Sequence, residues 1–162
     1  IAEHFRQHHD LGNMVAVATD AGGAKRVGRF SERLGIPMAI IDKRRISDTG
    51  VKHGEVVGEV RGRDAVIFED EISTGGTLVS TVATLKAAGV RSVHAGAVHG
   101  VLCGPAIERL QAAEIDSIVV SNTVSLPAEK RIDKITVLSV APLFAAAIER
   151  IHSGQSVGAL FE

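Results

Sequence analysis

Six short runs dense in Val, Ile and Ala punctuate the chain, at 14–18, 38–41, 65–68, 93–98, 118–120 and 135–140. Each is too short for a helix and too continuously apolar for a strand with one wet face, so each predicts a strand covered on both sides. Between them the apolar residues change to helical spacing. Val27, Phe30 and Leu34 make one stripe, stopped by Gly35 and Pro37; Leu78, Val82 and Leu85 make another, stopped by Gly89. Pro105 opens a helix carrying Ile107 and Leu110, and Ser139 with Pro142 opens one carrying Leu143, Ala147 and Ile151. This alternation predicts an α/β fold, a mostly parallel sheet with helices on both faces. Residues 54–60 suit a short extra strand, and the polar stretch 43–54 reads as a mobile surface loop rather than a boundary. With no repeat or linker, 1–162 is expected to form a single domain.

The composition narrows what such a fold can bind. At 162 residues, 45% hydrophobic and 23% charged, the chain can bury one core. A formal net charge of -1 gives no general grip on nucleic acid or on an anionic membrane, so neither is expected as a partner. Aromatics are only 3%, all Phe, which leaves no platforms for stacking bases. No apolar run approaches the ~18 to 20 residues of a bilayer span. The single Cys103 cannot form an internal disulfide, which fits a reducing, cytoplasmic setting, and it reads as a small core residue. The chain starts at Ile1 without a Met or a signal peptide, as expected of a piece of a longer protein. His4, His8, His9, His94 and His152 read as surface residues, and His99, at a strand end, is open between a structural and a functional role.

In a parallel sheet the strand-to-helix loops and helix N-termini collect at the carboxyl edge, and ligands bind there. The unusual residues fall at that edge: Asp20 with Gly22 and Gly23 after the first run, 42–45 after the second, Glu69 and Asp70 after the third, His99 and Gly100 after the fourth, 121–123 after the fifth. Any one alone reads as a turn or a cap. The strongest is Glu69-Asp70 followed by Ser73, Thr74, Gly75, Gly76 and Thr77 at the start of a helix. Glycines allow backbone N–H groups to turn inward around an anion, and the helix N-terminus and hydroxyls add to the attraction. No Lys follows the last glycine, so this is a monophosphate cradle rather than a Walker loop. The two acids would repel that phosphate and are better suited to accept from sugar hydroxyls. A phosphate beside a diol describes a phosphorylated ribose.

Gly22 and Gly23 lead into a helix with Lys25 and Arg26 in its first turn, where cations oppose the helix dipole unless an anion docks there. A diphosphate or triphosphate with Mg²⁺ is the expected occupant. Asp20 is then the candidate metal ligand, since Mg²⁺ needs only one or two protein carboxylates beside substrate phosphates. Lys43, Arg44 and Arg45 could close over a reacting phosphate and neutralise its charge.

The segments 20–26, 39–45, 99–109, and 138–144 with 148–154, in that order, resemble the carboxyl-terminal half of the ribose-phosphate pyrophosphokinase family. The resemblance implies a type I phosphoribosyltransferase-like fold. It implies pyrophosphoryl transfer from ATP to ribose 5-phosphate with Mg²⁺, and assembly as dimers or hexamers. It places ribose 5-phosphate on Glu69 to Thr77, transferred pyrophosphate near Gly22, Gly23 and Lys25, the metal on Asp20, and catalytic charge on Lys43 and Arg45. The family commonly has Asp-Asp and then Asp-Thr-Gly or Asp-Thr-Ala where this chain has Glu69-Asp70 and Ser73-Thr74-Gly75. A phosphoribosyltransferase and a weakly active regulatory subunit of a synthetase are the competing expectations.

Overall fold

The computed structural model describes residues 1–42 and 54–161. Its seven strands, β1 (Met14–Ala18), β2 (Met38–Asp42), β3 (Glu55–Val57), β4 (Asp64–Ile72), β5 (Ser92–Gly100), β6 (Ser117–Ser121) and β7 (Ile135–Leu138), form one sheet in the order β3-β2-β1-β4-β5-β6-β7. Only β3 runs antiparallel, against β2. The helices are α1 (Ala2–His8), α2 (Ala24–Leu34), α3 (Gly76–Ala87), α4 (Ala106–Ala112) and α5 (Ala141–His152).

The strand period sorts the core into two layers. Val15 and Val17 of β1 face the layer that holds Leu78, Val82 and Leu85 of α3 and Leu110 of α4. Met14, Ala16 and Ala18 face the opposite layer, with Val27, Phe30 and Leu34 of α2. The sheet is thus covered on both faces, as the unbroken apolar runs require.

The two central strands are longer than their apolar runs because β4 and β5 pair as far as Glu71 with His99 and Ile72 with Gly100. Glu69 and Asp70 therefore stand inside a strand rather than in a loop. At the other end, β7 stops at Leu138, short of the expected residue 140.

One expectation, that for His94, is corrected, and two features come from the structure alone. The amino-terminal segment is a helix, and Phe5 within it is fully buried, edge-on to Phe30 with ring centroids 6.2 Å apart. Gly96 makes room for it: a Cβ there would lie 2.8 Å from the Ile1 side chain and 3.2 Å from Phe5. His94 is buried, not superficial. Its Nδ1 is 2.8 Å from Ser117 Oγ and its Nε2 is 3.2 Å from Ser92 Oγ, while His9 packs on its ring. Burial, with the nearby His9, holds the His94 pKa below its ordinary value. Finally, α5 forms where expected, but Leu143 and Ile151 of its apolar stripe are 46% and 67% exposed, because the helix follows the edge strand β7. No helix among the described residues is long and apolar enough to cross a membrane.

Candidate functional site

The strand order changes direction between β1 and β4. From β1 the chain leaves through α2, packed on one face, and from β4 through α3, packed on the other. The two exits separate and leave a crevice at the carboxyl edge, where this class of sheet binds ligands. A cleft of about 250 Å³ lies there, lined by Thr19, Asp20, Glu69, Glu71 and the run 72–78.

Its floor is the loop between β4 and α3. Three consecutive carbonyls turn toward one neighbouring segment: Ile72 O accepts from Leu102 N–H (3.0 Å), Ser73 O from Cys103 N–H (3.1 Å) and Thr74 O from Arg109 Nη1 (3.1 Å). Every described peptide is trans, so each N–H points opposite to its carbonyl. The N–H groups of Ser73, Thr74 and Gly75 are thereby directed away from that segment, and the first N–H groups of α3 have no helical acceptor. The loop turns into α3 at Gly75, whose φ of +74° belongs to the left-handed region that L side chains avoid. Leu102 holds a φ of +47° while fully buried, and the buried Leu110 side chain would be in ordinary contact, 3.6 Å, with a Cβ at Gly75. Such an arrangement of N–H groups suits an anion.

The acids form one wall. Glu69 accepts from the Thr19 hydroxyl through Oε1 and from Arg26 Nη2 through Oε2 at 3.2 Å. Asp70 accepts from Arg26 Nη1 at 2.9 Å and from the Glu71 backbone N–H at 2.9 Å. Each carboxylate oxygen keeps capacity for a further donor such as a hydroxyl. Burial pushes the Glu69 carboxyl above its ordinary value, with Asp70 and Asp20 adding to the rise and Thr19 and Arg26 opposing it. Asp70 sits below its ordinary value: slight burial acts upward but is outweighed by the Glu71 N–H and the Arg26 charge.

Across the cleft, Asp20 Oδ1 accepts from Gly23 N–H at 2.9 Å and closes the turn into α2. Its second oxygen has no hydrogen-bond partner among the described residues. Among the described residues no three His, Cys, Asp or Glu side chains are grouped to hold a metal by themselves. A cation at Asp20 would draw its other ligands from phosphate and water oxygens, a donor set that suits Mg²⁺.

Of the residues expected from the sequence, Asp20, Glu69, Ser73, Thr74, Gly75, Gly76 and Thr77 come together around the cleft. Asp70 stands beside it, joined through Arg26. Gly22, Gly23 and Lys25 lie outside its lining, with Gly22 and Lys25 exposed and Gly23 buried. Lys43 and Arg45 fall outside the described residues. Cys103 is not a core residue: it is half-buried with its Sγ 3.2 Å from Ser73 Oγ. His99 is not among the residues lining the cleft, and its Nδ1 is 2.8 Å from Thr123 Oγ1. Thr19, Arg109 and the Arg26 link to the acids are the parts that sequence reasoning missed.

Comparison with known proteins gives this geometry its context. The sequence model of the phosphoribosyl synthetase-associated domain matches residues 52–162. The chain belongs to this family. The ribose-phosphate pyrophosphokinase of Caldanaerobacter subterraneus subsp. tengcongensis is 45% identical over 161 residues, covering 99% of this chain and 51% of that protein. That of Clostridium acetobutylicum is 41% identical over 163 residues, covering 100% and 51%. The chain thus spans about half the length of the curated relatives it matches. The crystal structure of phosphoribosylpyrophosphate synthetase from Mycobacterium smegmatis superposes with a TM-score of 0.82 at 34% identity, over 94% of this chain and 48% of that one. An adenine phosphoribosyltransferase from Thermoanaerobacter pseudethanolicus, at 18% identity and a TM-score of 0.51 over 74% of each chain, shares the fold alone. The family member described here therefore has the type I phosphoribosyltransferase-like α/β fold, and the curated relatives that match nearly all of this chain are named ribose-phosphate pyrophosphokinases.

Proposed function

We propose that this chain supplies the ribose 5-phosphate site of an enzyme that transfers the pyrophosphoryl group of ATP to the 1-hydroxyl of ribose 5-phosphate, yielding phosphoribosyl pyrophosphate and AMP. The observation that supports this reading is the turning of three successive carbonyls toward residues 102–109, which turns the opposing N–H groups away from that segment in a loop that lines a cleft walled by Glu69. In this reading Ser73, Thr74, Gly75, Gly76 and Thr77 hold the 5-phosphate, and Glu69 and Asp70 accept from the ribose hydroxyls. Gly22, Gly23 and Lys25 face the pyrophosphate, and Lys43 and Arg45 neutralise charge on the reacting phosphates.

Asp20, with one oxygen engaged by Gly23 and the other without a partner among the described residues, fits a Mg²⁺ ion, which when bound would supply charge neutralisation at the phosphates. The 1-hydroxyl is the nucleophile and no protein group needs to form a covalent intermediate. The chain's task is positioning and electrostatic stabilisation. The reading extends to one domain over 1–162, a cytoplasmic setting and assembly of the enzyme as a dimer or hexamer. The names of the full-coverage relatives favour synthesis of phosphoribosyl pyrophosphate over its consumption and over a purely regulatory role.

Two measurements test it. Calorimetric titration should show ribose 5-phosphate binding that is lost in Asp70→Asn more than nucleotide binding is. The protein should form AMP from ATP only when ribose 5-phosphate is present. Release of pyrophosphate from phosphoribosyl pyrophosphate upon addition of a free base, without AMP formation from ATP, would replace this reading with a phosphoribosyltransferase.

A further inference from the structure

Arg26 stands in the first turn of α2, a helix with no acidic residue in that turn, so a cation there is opposed by the helix dipole. Its guanidinium reaches from α2 to β4 and forks, one nitrogen on each of two adjacent carboxylates: Nη1 on Asp70 and Nη2 on Glu69. The third nitrogen, Nε, is buried without a partner among the described residues, so the side chain is held in place by its two acidic contacts. A pair as open to water as Arg26 with Asp70 adds little to stability, and one ammonium could not span both acids in this way. Its effect is geometric. Adjacent residues of a strand point to opposite faces, and like charges repel; the guanidinium draws the Glu69 and Asp70 carboxylates to one side of the strand edge. The Thr19 hydroxyl fixes Glu69 from the other direction.

We infer that Arg26 is a positioning residue for sugar recognition: by bridging Glu69 and Asp70 it sets the two carboxylates at the separation that a vicinal diol requires, without itself contacting the phosphate in the 73–77 loop. The inference rests on the ribose 5-phosphate reading and deepens it by assigning the selectivity for the sugar to a residue of the opposite loop.

Calorimetric titration with ribose 5-phosphate and, separately, with inorganic phosphate tests it. The unsubstituted protein should prefer ribose 5-phosphate. In Arg26→Met that preference should shrink about tenfold, the scale of one hydrogen bond to a charged group, with the affinity for inorganic phosphate unchanged. Arg26→Lys, which can reach one carboxylate at a time, should recover part of the preference and serves alone if Arg26→Met does not fold. An unaltered preference in Arg26→Met, or in Arg26→Lys if that variant serves alone, would overturn the inference. So would a proportional loss of both ligands. An unsubstituted protein with no preference for ribose 5-phosphate would instead overturn the sugar site itself, and the assignment of Arg26 with it.

Discussion

The two glycine-bearing loops that face one another across the cleft are built in opposite ways. The 73–77 loop is held from outside: residues 102–109 bind the carbonyl of Ile72 just before it and those of Ser73 and Thr74 within it, and Leu102 and Leu110 are buried against it. The 20–23 turn is held from within, by the Asp20 carboxylate on Gly23 N–H, and among the described residues no hydrogen bond ties the exposed Gly22, or Lys25 at the start of α2, to the sheet. A ligand group that stays put through a reaction, such as a 5-phosphate, suits a rigid socket. A group that arrives on one molecule and leaves on another suits a turn that can adjust. The difference assigns binding rigidity to the β4 side and adaptability to the β1 side.

The largest test strikes the rigid loop. Gly75→Val forces a β-branched residue into the left-handed region, at a cost of about 1–3 kcal/mol, and should abolish measurable phosphate binding in a calorimetric titration. Retained affinity would mean that the loop is not the socket. Arg109→Met removes the donor to Thr74 O and should weaken inorganic phosphate about tenfold while the melting temperature changes little.

Smaller effects are expected across the cleft. Asp20→Ala loses the turn's internal hydrogen bond and should lower stability by about 1 kcal/mol in urea unfolding, whereas Asp20→Asn keeps an accepting oxygen and should not. Neither should alter phosphate affinity in the 73–77 loop by more than about twofold, because the two loops share no hydrogen bond of Asp20. A larger change would show that the loops are mechanically joined.

The smallest effect concerns Glu69. Its folded-state pKa is raised, so the unfolded chain ionises first as pH rises, and above both values the charged form costs stability. Glu69→Gln should therefore melt at a slightly higher temperature at pH 7, and the gain should vanish below the ordinary carboxylate range, where both states are protonated. The same substitution should weaken ribose 5-phosphate, separating what Glu69 does for binding from what it costs the fold.

Much of this was legible in the chain itself. The strands follow from apolar runs that only a doubly covered sheet can hide, and the gathering of Ser73 to Thr77 at the cleft follows from their place where a strand meets a helix. What escaped depends on partners far along the sequence. Phe5 looks like an isolated apolar residue in a polar segment until Gly96 provides its socket. Arg26 looks like an anion ligand until the fold sets it against Glu69 and Asp70. Cys103 looks like core filler because nothing local announces that its segment runs beneath Ser73. Strand ends were underestimated at β4 and β5 because hydropathy stops at Glu69 and His99, while the ladder between the strands continues to Ile72 and Gly100.

The carbonyl bonds from Ile72, Ser73 and Thr74 to residues 102–109 carry a consequence for protein engineering. A transplant of the five-residue 73–77 peptide into another scaffold would arrive with its peptide planes free to rotate, and its amides would no longer be held facing away from a supporting segment. The smallest portable unit is discontinuous: the pentapeptide together with the Leu102–Arg109 stretch that orients it.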